Sequence, residues 1–151
     1  IIGIKKYYSR VRTQETSNKQ NKAKYTYDIC SDWRKPEMMQ IIEDVRLLLL
    51  DKERELSSEN LIQDFIKYVD DPVNITKRMS LILTLNYFES ISAMVLVGDL
   101  DIEIVKRLFG KLFGRYYNRL CFYIDFRQKE SSKSWVNFEK LAKKWIEDEK
   151  S

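Results

Sequence analysis

Residues 74–97 read NITKRMSLILTLNYFESISAMVLV, and they decide the fold. Leu81, Ile82, Leu83, Leu85, Phe88, Ile91, Met94, Val95 and Val97 put apolar side chains on nearly every face of a helix. A helix of that kind belongs inside a bundle. Asn86 and Glu89 interrupt the run, so its uncharged stretch is too short to read as a membrane span. Gly98 follows, at the place where a helix ends on a residue that accepts positive φ.

Upstream, SSENLIQDFIKYVDDP predicts a short helix capped by Ser57 or Ser58, with Leu61, Phe65, Ile66 and Val69 facing inward. Asp70-Asp71-Pro72 stops it. Lys35-Pro36 opens an earlier helix, 36–50, capped by Ser31 or Asp32 and ended by the charged DKERE. Its predicted buried face is Met38, Ile41, Ile42, Val45, Leu48 and Leu49. The stripe Ala23, Tyr27, Cys30, Trp33 predicts a helix over about 5–32, anchored only in its second half.

Downstream, Asp99 or Asp101 starts a helix over 101–128. Its stripe is Val105, Leu108, Phe109, Leu112, Phe113, Tyr116, Leu120, Tyr123 and Ile124. A last helix, 133–148, carries Trp135, Phe138, Leu141, Ala142 and Trp145 on one face, with Ser131 or Ser132 as cap. Only four Gly and two Pro punctuate 151 residues, and 44% are apolar. The expectation is all-α: a single helical bundle of about six helices, with a long N-terminal helix. The buried central helix 74–97 is clasped by 36–50, 101–128 and 133–148.

Charge divides the chain at about residue 24. Of 27 basic and 23 acidic residues, residues 1–24 hold seven and one, and the rest is slightly acidic. The reading is a basic arm or stalk over 1–24 and a helical body over 25–151. Such an arm suits an anionic surface better than the body suits nucleic acid. There is no histidine, which removes the commonest general base and metal ligand. Cys30 and Cys121 have no metal or redox spacing and read as reduced, buried thiols. Nothing calls for a cofactor or a metal, and no catalytic set stands out.

Three polar positions and one basic edge are candidates. Glu89 sits in the most apolar helix, where a carboxylate is costly unless paired. Catalytic acids occupy such places, but an ion pair with Arg78, Arg115 or Arg119, or a tryptophan N–H donor, explains it as well. Asn86 interrupts the same helix. Glu139 reads as an i,i+4 partner of Lys143. Arg115, Arg119 and Arg127 interleave with Tyr116, Tyr117, Phe122, Tyr123 and Phe126, as a base-stacking surface would or as the basic rim of an aromatic core. Gly110 and Gly114 form a G-x-x-x-G that reads as close packing of two helices within the bundle.

The opening IIGIKKYYSRVR raises a membrane reading. Ile1, Ile2 and Ile4 read as the last turn of a transmembrane helix, with Lys5, Lys6, Arg10 and Arg12 on its cytoplasmic side and Tyr7 and Tyr8 at interface depth. Basic groups near an anionic leaflet gain about 1 kcal/mol each.

Three stretches carry a family resemblance: Trp33-Arg-Lys-Pro-Glu-Met; Leu85-Asn-Tyr-Phe-Glu-Ser-Ile-Ser running on to Gly98-Asp-Leu-Asp; and Trp135-Val-Asn-Phe-Glu-Lys-Leu-Ala-Lys-Lys-Trp145. Together they resemble a bacterial family of membrane-anchored proteins, the domain of unknown function 4760 family, from about Tyr25 to Trp145. The resemblance implies an N-terminal membrane helix and a cytosolic helical domain, and no activity. It marks Asn86, Glu89, Gly98, Trp135, Phe138, Glu139 and Trp145 as fold-defining.

The functional expectation is a non-enzymatic cytoplasmic interaction or sensing domain at the bacterial inner membrane. Its partners would be the anionic membrane surface and another protein, or a second copy. One alternative is a nucleic-acid-binding effector, for example in phage defence, working through the basic arm. The other is an enzyme with Glu89 as acid or base.

Overall fold

With so few breakers the chain has little choice but helix, and it folds that way. The computed structural model describes residues 2–55 and 60–151. Among the described residues there are six α-helices and no strand: α1 (Ile2–Cys30), α2 (Pro36–Glu55), α3 (Leu61–Asp70), α4 (Ile75–Leu96), α5 (Ile102–Glu130) and α6 (Val136–Lys150). Short 3-10 turns fill Ser31–Arg34 and Pro72–Asn74.

Several ends fall where the sequence put them, and for the stated reason. Gly98 takes φ +86 after α4. Its amide bonds the Val95 carbonyl at 3.1 Å and the Asp99 amide bonds Met94 at 2.9 Å, the paired bonds of a Schellman close. Asp101, one of the two expected caps, accepts the Glu103 and Ile104 amides at the start of α5. Asp71 accepts the Val73 amide where α3 stops.

Other ends differ. DKERE does not end α2, which runs through Glu55, since Lys, Glu and Arg are good helix formers and neither Gly nor Pro interrupts them. Neither Ser31 nor Asp32 caps α2. Ser31 donates to the Asp28 carbonyl, Asp32 pairs with Lys35 at 2.7 Å, and Lys35 supplies the carbonyl that the Met39 amide bonds. The Ser57 and Ser58 caps lie outside the described residues; Asn60 directly precedes α3. α6 begins three residues later than expected. Ser131 closes α5 instead of capping α6, and Trp135 turns the chain in the left-handed region at φ 55.

The core is built around Phe88. Its ring lies 5.0 Å from Trp33, 4.8 Å from Phe113, 5.4 Å from Tyr116 and 5.2 Å from Phe138, joining the turn after α1 to α4, α5 and α6. Such ring pairs add about 0.5–1.5 kcal/mol each beyond their buried area. α4 packs between α2 and α6, and α6 lies between α4 and α5. The inner face of α4 is sealed, with Leu81 and Leu85 at 0% exposure. Its outer face is not, since Ile75, Met79 and Leu83 are exposed. The segment Pro72–Leu96 has the length and apolarity to cross a membrane by composition, and here it is the core helix of the bundle.

Gly114 is buried in α5, and a Cβ there would sit 3.3 Å from Ile146 of α6, so its smallness lets the two helices close up. At Gly110, the other half of the G-x-x-x-G, an added Cβ would meet Lys106 of its own helix at 3.4 Å and no atom of α6 within 4 Å.

Candidate functional site: the Glu89 strut and the basic arm

Glu89 stands on α4 one turn after Asn86, so both side chains leave the helix on neighbouring faces and reach the start of α6. The Glu89 carboxylate accepts the Phe138 amide at 2.8 Å, the Asn137 amide at 3.3 Å and the Asn137 side-chain amide at 2.8 Å. Those backbone donors are orphans in the first turn of any helix, and α6 has no side-chain cap of its own. Glu89 therefore caps α6 from another helix, with its charge at the positive end of the α6 dipole. Asn86 accepts the Trp135 indole N–H at 2.9 Å, fixing the residue whose left-handed backbone aims α6. Trp135 stacks on Tyr123 at 5.9 Å. The donors to Glu89 are backbone and amide groups, not the arginines or the tryptophan considered from the sequence.

Glu139 lies one turn further along α6. It accepts the Tyr117 hydroxyl at 3.2 Å and sits 3.7 Å from the Lys143 ammonium, the i,i+4 partner expected. Burial, then the Glu139 charge, pushes the Tyr117 phenol up from its ordinary range, so it stays a donor.

The arginine edge separates. Arg127 has 15% of its side chain exposed. It ion-pairs with Asp70 of α3, bonds the Tyr123 hydroxyl at 3.2 Å and stacks over the Tyr123 and Phe126 rings. Arg119 is half-buried and Arg115 exposed. Tyr116, Tyr117 and Tyr123 are buried, packed inward instead of presented to a ligand. The two thiols stay apart: Cys30 is buried, Cys121 half-buried, and both are free.

The family model for a domain of unknown function, DUF4760, matches residues 4–145. The chain belongs to the DUF4760 family. No curated protein and no solved structure matches it. In this DUF4760 domain no group of three or more His, Cys, Asp or Glu among the described residues is placed to hold a metal ion.

The arm is the other candidate. From Gly3 to Lys22 every residue of α1 is exposed except Val11, which is half-buried. Ile4, Tyr7, Tyr8 and Val11 occupy i, i+3, i+4 and i+7 of one helix, so they share a face. Lys5 and Arg12 flank that face on one side and Arg10 on the other, with Lys6 behind. None of these four cations is in an ion pair among the described residues. Ile4, Tyr7 and Tyr8 are 60–64% exposed, and the two tyrosine rings meet edge-on at 5.8 Å.

The residue that ties the arm to the body of the DUF4760 domain was missed in the sequence because it is polar. Thr26 has 0% exposure. Its hydroxyl donates to the Lys22 carbonyl at 2.8 Å and accepts the Asp101 amide at 2.9 Å. The expected anchor Tyr27 is instead 46% exposed. The available signal was its spacing, three residues after Ala23 and four before Cys30.

Proposed function

We propose that this DUF4760 domain is a non-enzymatic adaptor. Its arm holds a helical interaction body against an anionic membrane surface, on the cytoplasmic side of the bacterial inner membrane. The observation that carries the reading is the exposed face Ile4-Tyr7-Tyr8, continued by the half-buried Val11 and edged by Lys5, Arg10 and Arg12. An apolar strip with cationic flanks and aromatic rings is the pattern of a helix lying at a lipid interface. The polar groups that could have meant catalysis support the reading in another way. Glu89 is occupied as a helix cap, and Glu139 is bonded to Tyr117 and Lys143.

Co-sedimentation with vesicles tests this. Binding is expected to vesicles rich in phosphatidylglycerol and not to pure phosphatidylcholine. Each cation removed should weaken it about fivefold, the equivalent of about 1 kcal/mol. The same arm would also attract nucleic acid, and Tyr8→Ser separates the two readings. Loss of the apolar strip should reduce vesicle binding, whereas phosphate binding by the cations would be unchanged. Equal binding to neutral and anionic vesicles would refute the proposal.

A further inference from the structure

A notch opens where the arm joins the body. The end of α1 contributes Tyr27 and Cys30, the following turn Trp33 and Arg34, and α5 Leu108 and Phe109, around a cavity of about 160 Å³. Its lining is mixed, polar at Ser31 and Arg34 and apolar at Trp33, Leu108 and Phe109, and the aromatic wall is fixed. The Trp33 ring stacks on Tyr87 at 5.4 Å and meets Phe109 edge-on at 5.8 Å. A volume of roughly 150 Å³ is enough for one benzene-sized ring. Arg34 is exposed beside it and has no ion-pair partner among the described residues. The Trp33 indole N–H has no acceptor among them either. Burial holds the Cys30 thiol protonated, with its pKa raised to about 11, so it is a neutral wall and not a nucleophile.

We propose that this notch is a binding site for a small aromatic carboxylate, its ring against Trp33, Leu108 and Phe109 and its anionic end on Arg34. One ring fills the volume, and a single unpaired guanidinium at this cavity selects a carboxylate, which it can hold by two parallel bonds. Aliphatic acids of similar length lack the flat face that a tryptophan–phenylalanine wall favours. The site does not depend on the membrane reading of the arm.

The chain carries its own reporters, since Trp33, Trp135 and Trp145 give three indole N–H signals. The full chain is titrated with sodium benzoate and, separately, with benzyl alcohol, following ¹H–¹⁵N spectra. Saturable shifts are expected at the Trp33 indole and at the amides around Cys30 and Leu108, with Trp135 and Trp145 still. The midpoint should lie at about 1 mM, the range open to a ligand of roughly ten heavy atoms. Arg34→Gln, a surface change, should weaken benzoate about tenfold and leave benzyl alcohol unaltered. Cys30→Met should fill the notch and abolish both; if it fails to fold, Arg34→Gln alone carries the test. Shifts without saturation up to ~20 mM, shifts centred on Trp135 or Trp145, or unchanged benzoate affinity in Arg34→Gln would overturn the proposal.

Discussion

Glu89 of α4 and Phe138 of α6 stand 49 positions apart, and the Glu89 carboxylate accepts the Phe138 amide at 2.8 Å. A charged group spent in this way sets the direction of a whole helix. It also gives Glu89 a structural role that predicts different behaviour from a catalytic one.

Glu89→Ala leaves the Asn137 and Phe138 amides without their acceptor. The expected loss is about 1–3 kcal/mol, the range for a cap and for a hydrogen bond to a charged group. Glu89→Gln keeps one acceptor oxygen and should lose less. Urea unfolding followed by circular dichroism gives both numbers, and the losses should be matched by faster amide exchange at Asn137 and Phe138. A Glu89→Ala protein as stable as the parent would mean that Glu89 does not hold α6 in place.

Two buried hydroxyls should respond with opposite signs. Thr26→Val strands the Asp101 amide and should cost about 1–3 kcal/mol. Ser92 is fully buried, and among the described residues its hydroxyl has no hydrogen-bond partner. Ser92→Ala removes that stranded group and adds helix propensity, so it should leave stability unchanged or raise it by about 1 kcal/mol. Thermal unfolding of the two variants side by side decides it.

The two glycines of α5 make a matched pair. Gly110→Ala should stabilise by about 0.5–1 kcal/mol, since its Cβ meets only Lys106 Cγ at 3.4 Å. Gly114→Ala gains the same propensity but pushes on Ile146 at 3.3 Å. The difference between the two midpoints measures the close approach of α5 and α6, and Gly110→Ala should be the more stable protein.

Alkaline pH should weaken the fold in a defined window. Burial raises the Cys30 thiol from 9.0 to about 11. Below pH 9 folded and unfolded chains both hold that proton. Between 9 and 11 only the folded chain does, so the contribution to stability is lost as pH rises through that window. Tyr87, Tyr116 and Tyr117, all raised first by burial, add to the fall above pH 10. Urea midpoints at pH 8.0, 9.5 and 10.5 should descend, and Cys30→Ala should flatten the first step. At pH 8 the Cys30 thiol should resist alkylation until urea is added.

Much of this could be read from the chain. Apolar spacing gave the six helices and the stripe of α5, because burial repeats at helical period. Gly98 and Asp101 gave their ends, because positive φ and a cap need particular residue types. The start of α6 was hidden. Its cap comes from Glu89, 47 residues before α6 begins. A local rule looks for Ser131 or Ser132 and cannot see a carboxylate brought in by tertiary packing. Arg127 was misplaced for a related reason, since its partner Asp70 is on α3. Asn86 was legible as an anomaly in an apolar helix and Thr26 was not, and which indole or amide each one serves depends on the fold.

The most direct test of the central claim is hydrogen exchange along α1 in the full chain, with and without phosphatidylglycerol vesicles. New protection is expected over about residues 3–14 alone, where Ile4, Tyr7, Tyr8 and Val11 meet lipid, with the body exchanging as before. No protection there, or protection appearing only in the body, would contradict it.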